Sequence, residues 1–298
     1  MPRSASVTAP IRHAAGVVGV LTGGASHERE RSLKTGADVA RALIALGYRA
    51  RVLDTVDPAF VEKVRTVDVA LLALAGRRAE DGTLQGFLET MGIPYTGSGV
   101  RASALAMDKP TAKTVAGAAG VPVLADVLVS DTEAADTAAD EGILARLGVP
   151  VIVKARDEGS SVGPAVARDR MRLVQALEDL RGAGHALFVE PFVEGRMVTV
   201  GVLETDLVPS SLPATEVFVV GDFYDRTAKA GPDLHSFGCP ADLPDVTALE
   251  IGEAARRAHL ALGCSSHSRS DFVIAPDGRF HWLELNTLPA LRRTAHSR

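Results

Sequence analysis

The chain has 298 residues, of which 46% are hydrophobic and 23% charged, with a formal net charge of -5. This composition is that of a folded protein with a full core. The acidic balance gives no electrostatic reason to expect a nucleic acid partner, and two cysteines make no disulfide framework. No apolar run approaches the roughly 18 residues that span a bilayer. We therefore expect a cytoplasmic protein with no membrane partner.

The first part of the chain alternates strands with helices after a flexible lead. Apolar strands are predicted at 17–21, 49–53 and 67–74, and short helices follow the first and the third. The first helix is expected to bury its apolar positions, which are Leu33, Ala37, Ala40 and Ile44. Alternation of this kind is typical of a parallel sheet with right-handed crossovers. This unit is expected to end near residue 108.

The middle of the chain begins with a predicted helix at 109–119. Strands follow at 121–129, where Pro122 interrupts the pattern, at 149–155 and at 186–192. A polar loop at 157–163 and a helix at 169–180, with an N-cap at its start, separate the last two strands. The last two strands carry Lys154 and Glu190, which are unusual charges in such apolar runs.

The final part of the chain is predicted to contain a strand at 197–203 and a helix at 245–262. A long polar connection is expected between them, at 215–239. Two apolar runs close the chain around Pro276-Asp277-Gly278, which is a turn signal. These runs are predicted to form a hairpin.

That hairpin carries three oxygen-bearing side chains. Asp271 starts its first run, and Glu284 and Asn286 stand two residues apart on the second, so the latter two share a face. Carboxylate and amide oxygens that converge from rigid strands suit Mg²⁺ together with substrate phosphates. A polar strand face with incidental acids explains the same residues, and the hairpin alone leaves both interpretations open.

Two glycine-rich segments are candidates for phosphate binding. Gly23-Gly24-x-Ser26-x-Glu28 links a strand to a helix N-terminus, where anions bind well, although a tight turn with a capping serine is the plainer interpretation. The loop at 159–163 follows Lys154 and offers backbone amides and hydroxyls, but a simple linker fits it equally. Lys109, Lys154 and Lys229 together could neutralise a triphosphate.

Several segments occur in a recognisable order and spacing. They are 21–30, 80–86, 95–100, 104–109, 151–154, 158–163, 223–229, 239–244, Arg269-x-Asp271 and 283–287. Through them the chain resembles the D-alanine–D-alanine ligase family, within the ATP-grasp enzymes. The resemblance extends from about residue 17 to 290.

The resemblance implies an α/β fold, with α+β character in its C-terminal part. This is the ATP-grasp fold with an N-terminal Rossmann-like parallel-sheet unit. It divides the chain into a flexible lead (1–16), a substrate domain (17–108), a central subdomain with the phosphate loop (109–196) and a C-terminal subdomain with the metal site (197–298). The implied activity is ATP-dependent dipeptide formation for the cell wall, and family members often form homodimers through the first unit.

The resemblance also assigns site residues. Those implied to bind ATP are Lys109, Lys154, Ser160, Ser161, Val162, Glu190, Phe192, Val193 and Lys229. The lysines would contact phosphates, Glu190 the adenine amino edge, and the serines the γ-phosphate. Asp271, Glu284 and Asn286 would hold Mg²⁺ (or Mn²⁺). Catalytic roles fall to Glu28, Ser160 and Arg269.

Departures from the family pattern lie mainly on the amino-acid side. They are Ala75 for a histidine, Met197 for a glutamate, Ala230 for a tyrosine, Ala290 for a glycine and Ala295 for a serine. Each lost hydrogen bond in a closed site typically costs about 1–3 kcal/mol. Two alternatives therefore stay open beside D-alanyl-D-alanine synthesis: a divergent ligase for another acid and amine, and a nucleotide-binding homologue with little ligase activity.

Overall fold

A computed structural model describes residues 16–130, 137–157, 164–219 and 235–291. Within these ranges the named strands form three sheets, and each sheet draws on a separate stretch of chain. No helix in the same ranges is long and apolar enough to cross a membrane.

The first sheet is parallel and has the strand order β2-β1-β3. Its strands are β1 (Val17–Thr22), β2 (Arg49–Asp54) and β3 (Val69–Leu72). The helices of this part are α1 (Arg29–Ala45), α2 (Phe60–Val64), α3 (Thr83–Thr90) and α4 (Val100–Met107). The predicted parallel sheet is confirmed, although α4 was not predicted.

The buried face of α1 differs from the predicted one. Leu33 and Ile44 are exposed, and the helix instead buries small and polar residues together with Val39 and Ala40. Gly36 explains the choice, because a Cβ on it would lie 2.4 Å from the Thr22 hydroxyl of β1. The helix therefore approaches the sheet through its smallest side chains, and the larger apolar residues are left outside.

The second sheet is antiparallel and has the order β4-β7-β5-β6. Its strands are β4 (Val127–Leu128), β5 (Val151–Ala155), β6 (Ala165–Ala167) and β7 (Leu187–Pro191). Helix α5 (Lys109–Ala118) precedes β4, helix α6 (Thr137–Leu147) lies between β4 and β5, and helix α7 (Arg170–Gly182) lies between β6 and β7. The predicted N-cap of α7 is confirmed, since Asp169 accepts from the Arg172 backbone N–H at 2.8 Å.

The predicted strand at 121–129 is too long. Only β4 of this stretch pairs within the second sheet. Val123 instead forms a bridge with Trp282, and the Trp282 backbone N–H donates to the Pro122 carbonyl. This stretch therefore connects two sheets instead of extending one.

The third sheet is antiparallel, in the order β11-β10-β8-β12-β13, with β9 paired to β8. Its strands are β8 (Arg196–Thr205), β9 (Val208–Ser211), β10 (Thr215–Val219), β11 (His235–Gly238), β12 (His267–Ile274) and β13 (Phe280–Asn286). Helix α8 (Asp245–Ala261) packs against it. The predicted connection at 215–239 is corrected, because it begins and ends in strands β10 and β11, which pair with each other.

The largest core of the described residues joins the third sheet to three helices from different parts of the chain, α4, α5 and α8. Ala112 and Ala116 of α5 lie in it together with Ile251 of α8 and Trp282 of β13. Helix α5 precedes the second sheet in sequence but packs on the core of the third. It therefore lies where residues from both sheets can reach it.

Candidate functional site

The second sheet has one apolar face and one charged face. Leu187 and Val189 of β7 pack into the core formed with α6 and α7. Side chains alternate along a strand, so Glu190 points the other way. Glu190 lies opposite Ile152 in the ladder, and Lys154, two residues further along β5, shares its face. Glu190 also interacts electrostatically with His281 of β13, so this charged face is turned towards the third sheet.

Glu190 is held by two lysines. Its carboxylate accepts from Lys113 Nζ at 2.5 Å on one oxygen and from Lys154 Nζ at 2.5 Å on the other. Burial pushes the pKa of Glu190 upwards, but the charges and hydrogen bonds of Lys154 and Lys113 outweigh burial and hold the pKa below its ordinary value. The glutamate is therefore an ionised acceptor in a nearly closed environment.

We call the region between the second and third sheets the cleft, and helix α5 connects its two ends. Lys109 and Lys113 are four residues apart, so they lie on one helix face, separated by about 6 Å along the axis. Lys113 reaches Glu190 of the second sheet, whereas Lys109 Nζ lies 3.5 Å from a Glu284 carboxylate oxygen of the third sheet. The helix thus presents one cation to each end of the cleft.

The predicted hairpin is confirmed, and the structure gives its register. Strands β12 and β13 pair so that Asp271 stands opposite Glu284 and Arg269 opposite Asn286. The amide Nδ2 of Asn286 is buried and has no hydrogen-bond partner. Two facing carboxylates with one adjacent amide oxygen form a hard-oxygen donor set that fits Mg²⁺, which completes its coordination with phosphates and water.

Within the described ranges, no group of three or more histidine, cysteine, aspartate or glutamate side chains is arranged to hold a metal ion. A site at this hairpin therefore depends on the amide of Asn286 and on ligands that a bound nucleotide supplies. This is the usual arrangement for magnesium in phosphoryl-transfer enzymes.

Arg269 lies beside this donor set. Its guanidinium donates to both carboxylate oxygens of Asp271 at 2.8 Å, and Thr199 Oγ1 donates to the same carboxylate at 2.8 Å. Burial lowers the pKa of Arg269, but the negative charges of Asp271, Glu284 and Glu80 raise the pKa by more. Arg269 is therefore a permanently charged, oriented cation that joins the hairpin to residues of the first unit.

Glu28 lies at the start of α1, with a side chain that is only 10% exposed. Its backbone N–H donates to Ser26 Oγ at 3.2 Å, and that hydroxyl donates to the Ala75 carbonyl at 3.0 Å. The Ala75 N–H in turn donates to Ser32 Oγ at 3.1 Å. These bonds hold the turn after β1 against the loop after β3, so Glu28 is set within a rigid corner.

Glu80 lies next to this corner and is a buried carboxylate to which the sequence analysis gave no role. It accepts the Gly76 backbone N–H at 2.6 Å and also a hydrogen bond from the Leu288 backbone. Glu80 interacts electrostatically with both Glu28 and Arg269. It therefore links Glu28 of the first unit, the predicted ammonium acceptor, to Arg269 of the third sheet, which is predicted to be catalytic.

The pKa of Glu80 predicts a pH-dependent stability. Burial raises this pKa from its ordinary 4.5 to about 7, and the Glu28 charge adds to the shift. The folded chain therefore binds the proton more tightly than the unfolded chain, so the contribution of Glu80 to stability falls as pH rises through this interval. Glutamine is neutral throughout. One pKa unit corresponds to about 1.4 kcal/mol. As the pH rises through this interval, the free energy of unfolding of the unchanged protein is therefore expected to fall by on the order of 3 kcal/mol more than that of Glu80→Gln.

Urea unfolding at a series of pH values from 4.5 to 8 measures the difference between the two proteins. Glu89→Gln is the matched control, because Glu89 is an exposed carboxylate that accepts from the Tyr95 hydroxyl. Equal pH slopes for Glu80→Gln and the unchanged protein contradict the prediction.

The described residues bring most of the predicted site together. An ion pair and strand pairing link Lys109 to the hairpin residues Arg269, Asp271, Glu284 and Asn286. Lys154 pairs with Glu190 at the other end of the cleft. The Phe192 backbone N–H donates to the Pro150 carbonyl at 2.9 Å, and Val193 is the next residue of the segment after β7. Ser160, Ser161, Val162 and Lys229 lie outside the described residues.

Lys113 and Glu80 are the two site residues that sequence reasoning missed. Lys113 follows Lys109 by one helical turn in an alanine-rich helix, and this spacing is the signal that could have indicated a shared face. Glu80 stood in a matching segment, but no local pattern marks a glutamate as buried.

Known proteins resemble this chain over nearly its whole length. The family described as D-ala D-ala ligase N-terminus matches residues 48–98, and the one described as D-ala D-ala ligase C-terminus matches residues 115–298. A D-alanine–D-alanine ligase of Anaeromyxobacter sp. (strain Fw109-5) is 43% identical over 281 residues, which cover 93% of this chain and 88% of that protein.

Two solved structures illustrate the similarity of the fold. The D-alanine–D-alanine ligase from Bacillus anthracis complexed with ATP has a TM-score of 0.80 and 27% identity, covering 94% of this chain and 89% of that one. The VanG D-Ala:D-Ser ligase from Enterococcus faecalis has a TM-score of 0.78 and 28% identity, covering 95% and 92% of the two chains.

Proposed function

Since the chain belongs to the D-alanine–D-alanine ligase family, we propose that it joins two D-alanine molecules in an ATP-dependent reaction that supplies peptidoglycan synthesis. The predicted ATP-grasp fold, with a parallel-sheet unit at its N-terminus, is confirmed by its structural relatives. Family members carry the activity in their names, and this chain spans 88% of the length of its Anaeromyxobacter relative.

One observation supports the placement of ATP more than any other: the two lysines on one face of α5. Lys113 meets Glu190 at one end of the cleft, and Lys109 meets Glu284 at the other. In this proposal the adenine amino group donates to Glu190, and the triphosphate extends towards Lys109. Lys154 lies on the charged face of the second sheet and contacts the phosphates, together with Lys229, Ser160, Ser161 and Val162.

The proposed metal ligands are Asp271, Glu284 and Asn286. When bound there, Mg²⁺ (or Mn²⁺) would neutralise part of the phosphate charge. Lys109 lies beside Glu284 and Arg269 beside Asp271, so the chain surrounds the same region with fixed positive charge. A triphosphate is then held by several positive groups at once, which lowers the barrier to phosphoryl transfer.

The proposed chemistry has two steps. Glu28 holds the ammonium group of the first D-alanine, whose carboxylate attacks the γ-phosphorus of ATP and releases ADP. The amine of the second D-alanine then attacks the acyl phosphate, forming the peptide bond and releasing phosphate. Arg269 stabilises the negative charge of the acyl phosphate and of the tetrahedral intermediate. Positioning and charge neutralisation supply the catalysis without a covalent enzyme intermediate.

A second candidate is a ligase that accepts another amino acid in one position. It is favoured by the loop after β3, where Ala75 replaces the histidine of the family pattern. Hydrogen bonds on both sides of Ala75, from Ser26 and to Ser32, hold that loop in place. In this second candidate, the site lacks the hydrogen-bonding capacity and the volume of an imidazole at a fixed position, which would change the substrate group that it accepts.

The proposal is tested by Mg-ATP-dependent release of ADP from purified protein supplied with D-alanine. Parallel reactions contain D-serine and a panel of other D- and L-amino acids, and mass spectrometry identifies each product. We expect D-alanyl-D-alanine. ADP release that requires another amino acid supports the second candidate, and ATP binding without release from any mixture contradicts both.

Three further properties remain predictions. They are the boundaries near residues 108 and 196, a cytoplasmic location and a homodimer formed through the first unit. Amino acids and ATP are the only partners that the proposed reaction requires.

A further inference from the structure

Lys113 is the most deeply enclosed cation whose surroundings the structure describes around the cleft. Its side chain is 1% exposed, and its ammonium lies 2.5 Å from Glu190, 3.2 Å from Asp126 and 5.7 Å from the centre of the Phe188 ring. Lys154 pairs with the same glutamate but is 19% exposed. One buried carboxylate therefore has two lysine partners in different environments.

Enclosing Lys113 costs free energy, because moving an ammonium group out of water carries a penalty of several kcal/mol. A single lysine would neutralise Glu190. The two lysines differ in what they can reach: Lys154 is at the cleft surface and can turn towards phosphates, whereas Lys113 is enclosed on α5. Only Lys113 can accompany Glu190 when a nucleotide attracts Lys154.

We propose that Lys113 is a positioning residue for nucleobase recognition, which keeps Glu190 as an oriented anionic acceptor for the adenine amino group while ATP is bound. The inference rests on the proposed function, because it presumes that Glu190 faces adenine. Lys113 does not contact the base in this proposal. It acts through Glu190 alone.

The chemistry of the base makes the inference testable. Adenine presents an amino donor at the position where hypoxanthine, the base of ITP, presents a carbonyl oxygen. A carboxylate accepts from the former and repels the latter, whereas a protonated carboxyl group can donate to the carbonyl. Loss of the Lys113 charge leaves burial less opposed, which raises the pKa of Glu190 and favours the protonated form.

The experiment is calorimetric binding of Mg-ATP and Mg-ITP to the full chain without amino acids, so that turnover does not interfere. We expect the unchanged protein to prefer ATP by about 100-fold or more. In Lys113→Met we expect a preference below about 10-fold at pH 7 that recovers towards pH 9 as Glu190 ionises. Among the described residues, the other titratable groups that interact with Glu190 are Lys154 and His281. Burial holds the pKa of His281 below its ordinary 6.5, so it stays neutral across this range.

A double-mutant cycle distinguishes a positioning role of Lys113 from a structural one. Lys113→Met is introduced into the unchanged protein and into Glu190→Gln, and circular dichroism verifies that each variant folds. The double variant has neither the lysine nor the glutamate charge, so no buried charge is left without its partner. If Lys113 acts through Glu190, it changes the ATP preference only when Glu190 is present. Asp126→Asn is the control, and it is expected to leave the preference within about threefold, because the Lys113–Glu190 pair is kept.

Three results are decisive. A preference that survives Lys113→Met at pH 7, or an equal loss in both backgrounds of the cycle, overturns the inference and leaves the proposed ligase function intact. Failure of the unchanged protein to bind Mg-ATP overturns the proposed function and the inference with it. Collapse of the preference with recovery at high pH supports both.

Discussion

Replacement of Arg269 by methionine is expected to lower kcat by about 10² to 10³-fold, with Mg-ATP affinity changed by only a few-fold. Loss of one oriented donor at a developing oxyanion has an effect of this size. Arg269 is half-buried, and its two hydrogen bonds to Asp271 fix the direction of its guanidinium. The proposed acyl phosphate and tetrahedral intermediate would lose this charge at the moment they form, whereas the bound nucleotide keeps Lys109 and Lys154.

The matched control is Arg279→Met. Arg279 pairs with Asp277, two residues away on the same hairpin, but its side chain is 78% exposed. Surface pairs of this kind contribute little to stability, so the control is expected to retain full activity. Single-turnover measurement of ADP release separates chemistry from binding. An Arg269→Met variant that folds and turns over within threefold of the unchanged protein would remove Arg269 from the catalytic assignment.

Arg269→Lys adds a second measurement, because Arg269→Met leaves the half-buried Asp271 without its charge partner and can destabilise the fold. Lysine keeps the positive charge but lacks the planar fork that binds both carboxylate oxygens. We expect this variant to fold and to lose about 10-fold or more in kcat. Orientation as well as charge is then required of the residue.

Glu284→Gln is expected to raise the Mg²⁺ concentration needed for half-maximal ADP release by about 10-fold or more, and to lower kcat by about 100-fold at ordinary Mg²⁺ concentrations. Glu284 stands opposite Asp271 and beside Lys109 in the proposed metal site. Glutamine retains the shape but removes one of two carboxylate charges, which weakens binding of a hard dication. Titration of ADP release with Mg²⁺ at saturating ATP measures both effects.

The control for this substitution is Glu253→Gln, which removes an exposed carboxylate paired with Arg256 on α8. A chelator is expected to abolish ADP release in the unchanged protein and in both variants, and added Mg²⁺ should restore it at a higher concentration in Glu284→Gln. An unaltered Mg²⁺ dependence of Glu284→Gln would show that the hairpin acids do not hold the ion.

The sequence by itself determined the local elements of this protein and the family to which it belongs. Two apolar runs on either side of the turn signal Pro276-Asp277-Gly278 indicated the final hairpin, and the side-chain period of a strand placed Glu284 and Asn286 on one face. The structure confirms that hairpin and sets Asp271 opposite Glu284. The hairpin is predictable because its determinants are neighbours in the chain. The pairing of Asp271 with Glu284 does not follow from the turn alone, because the register shifts between Asp271 and Phe272, and this irregularity places Asp271 opposite Glu284 instead of Leu283.

Helix α1 shows where local pattern failed. Its periodicity favoured a buried face with Leu33 and Ile44, yet both are exposed and the helix packs through Gly36 against Thr22. The decisive contact depends on how closely the helix can approach β1. Periodicity records which residues share a face, but it does not record which face brings two backbones nearest to each other.

Only the tertiary structure decided the roles of Lys113 and Glu80. A lysine in an alanine-rich helix is ordinarily solvated, and here it is enclosed because α5 packs on the third-sheet core while Glu190, 77 residues away, approaches from the second sheet. Glu80 is buried where the first unit meets the Leu288 backbone. In both cases the environment of the charge is built by distant segments. The free energy of burying an ion is a property of that environment and not of the local sequence.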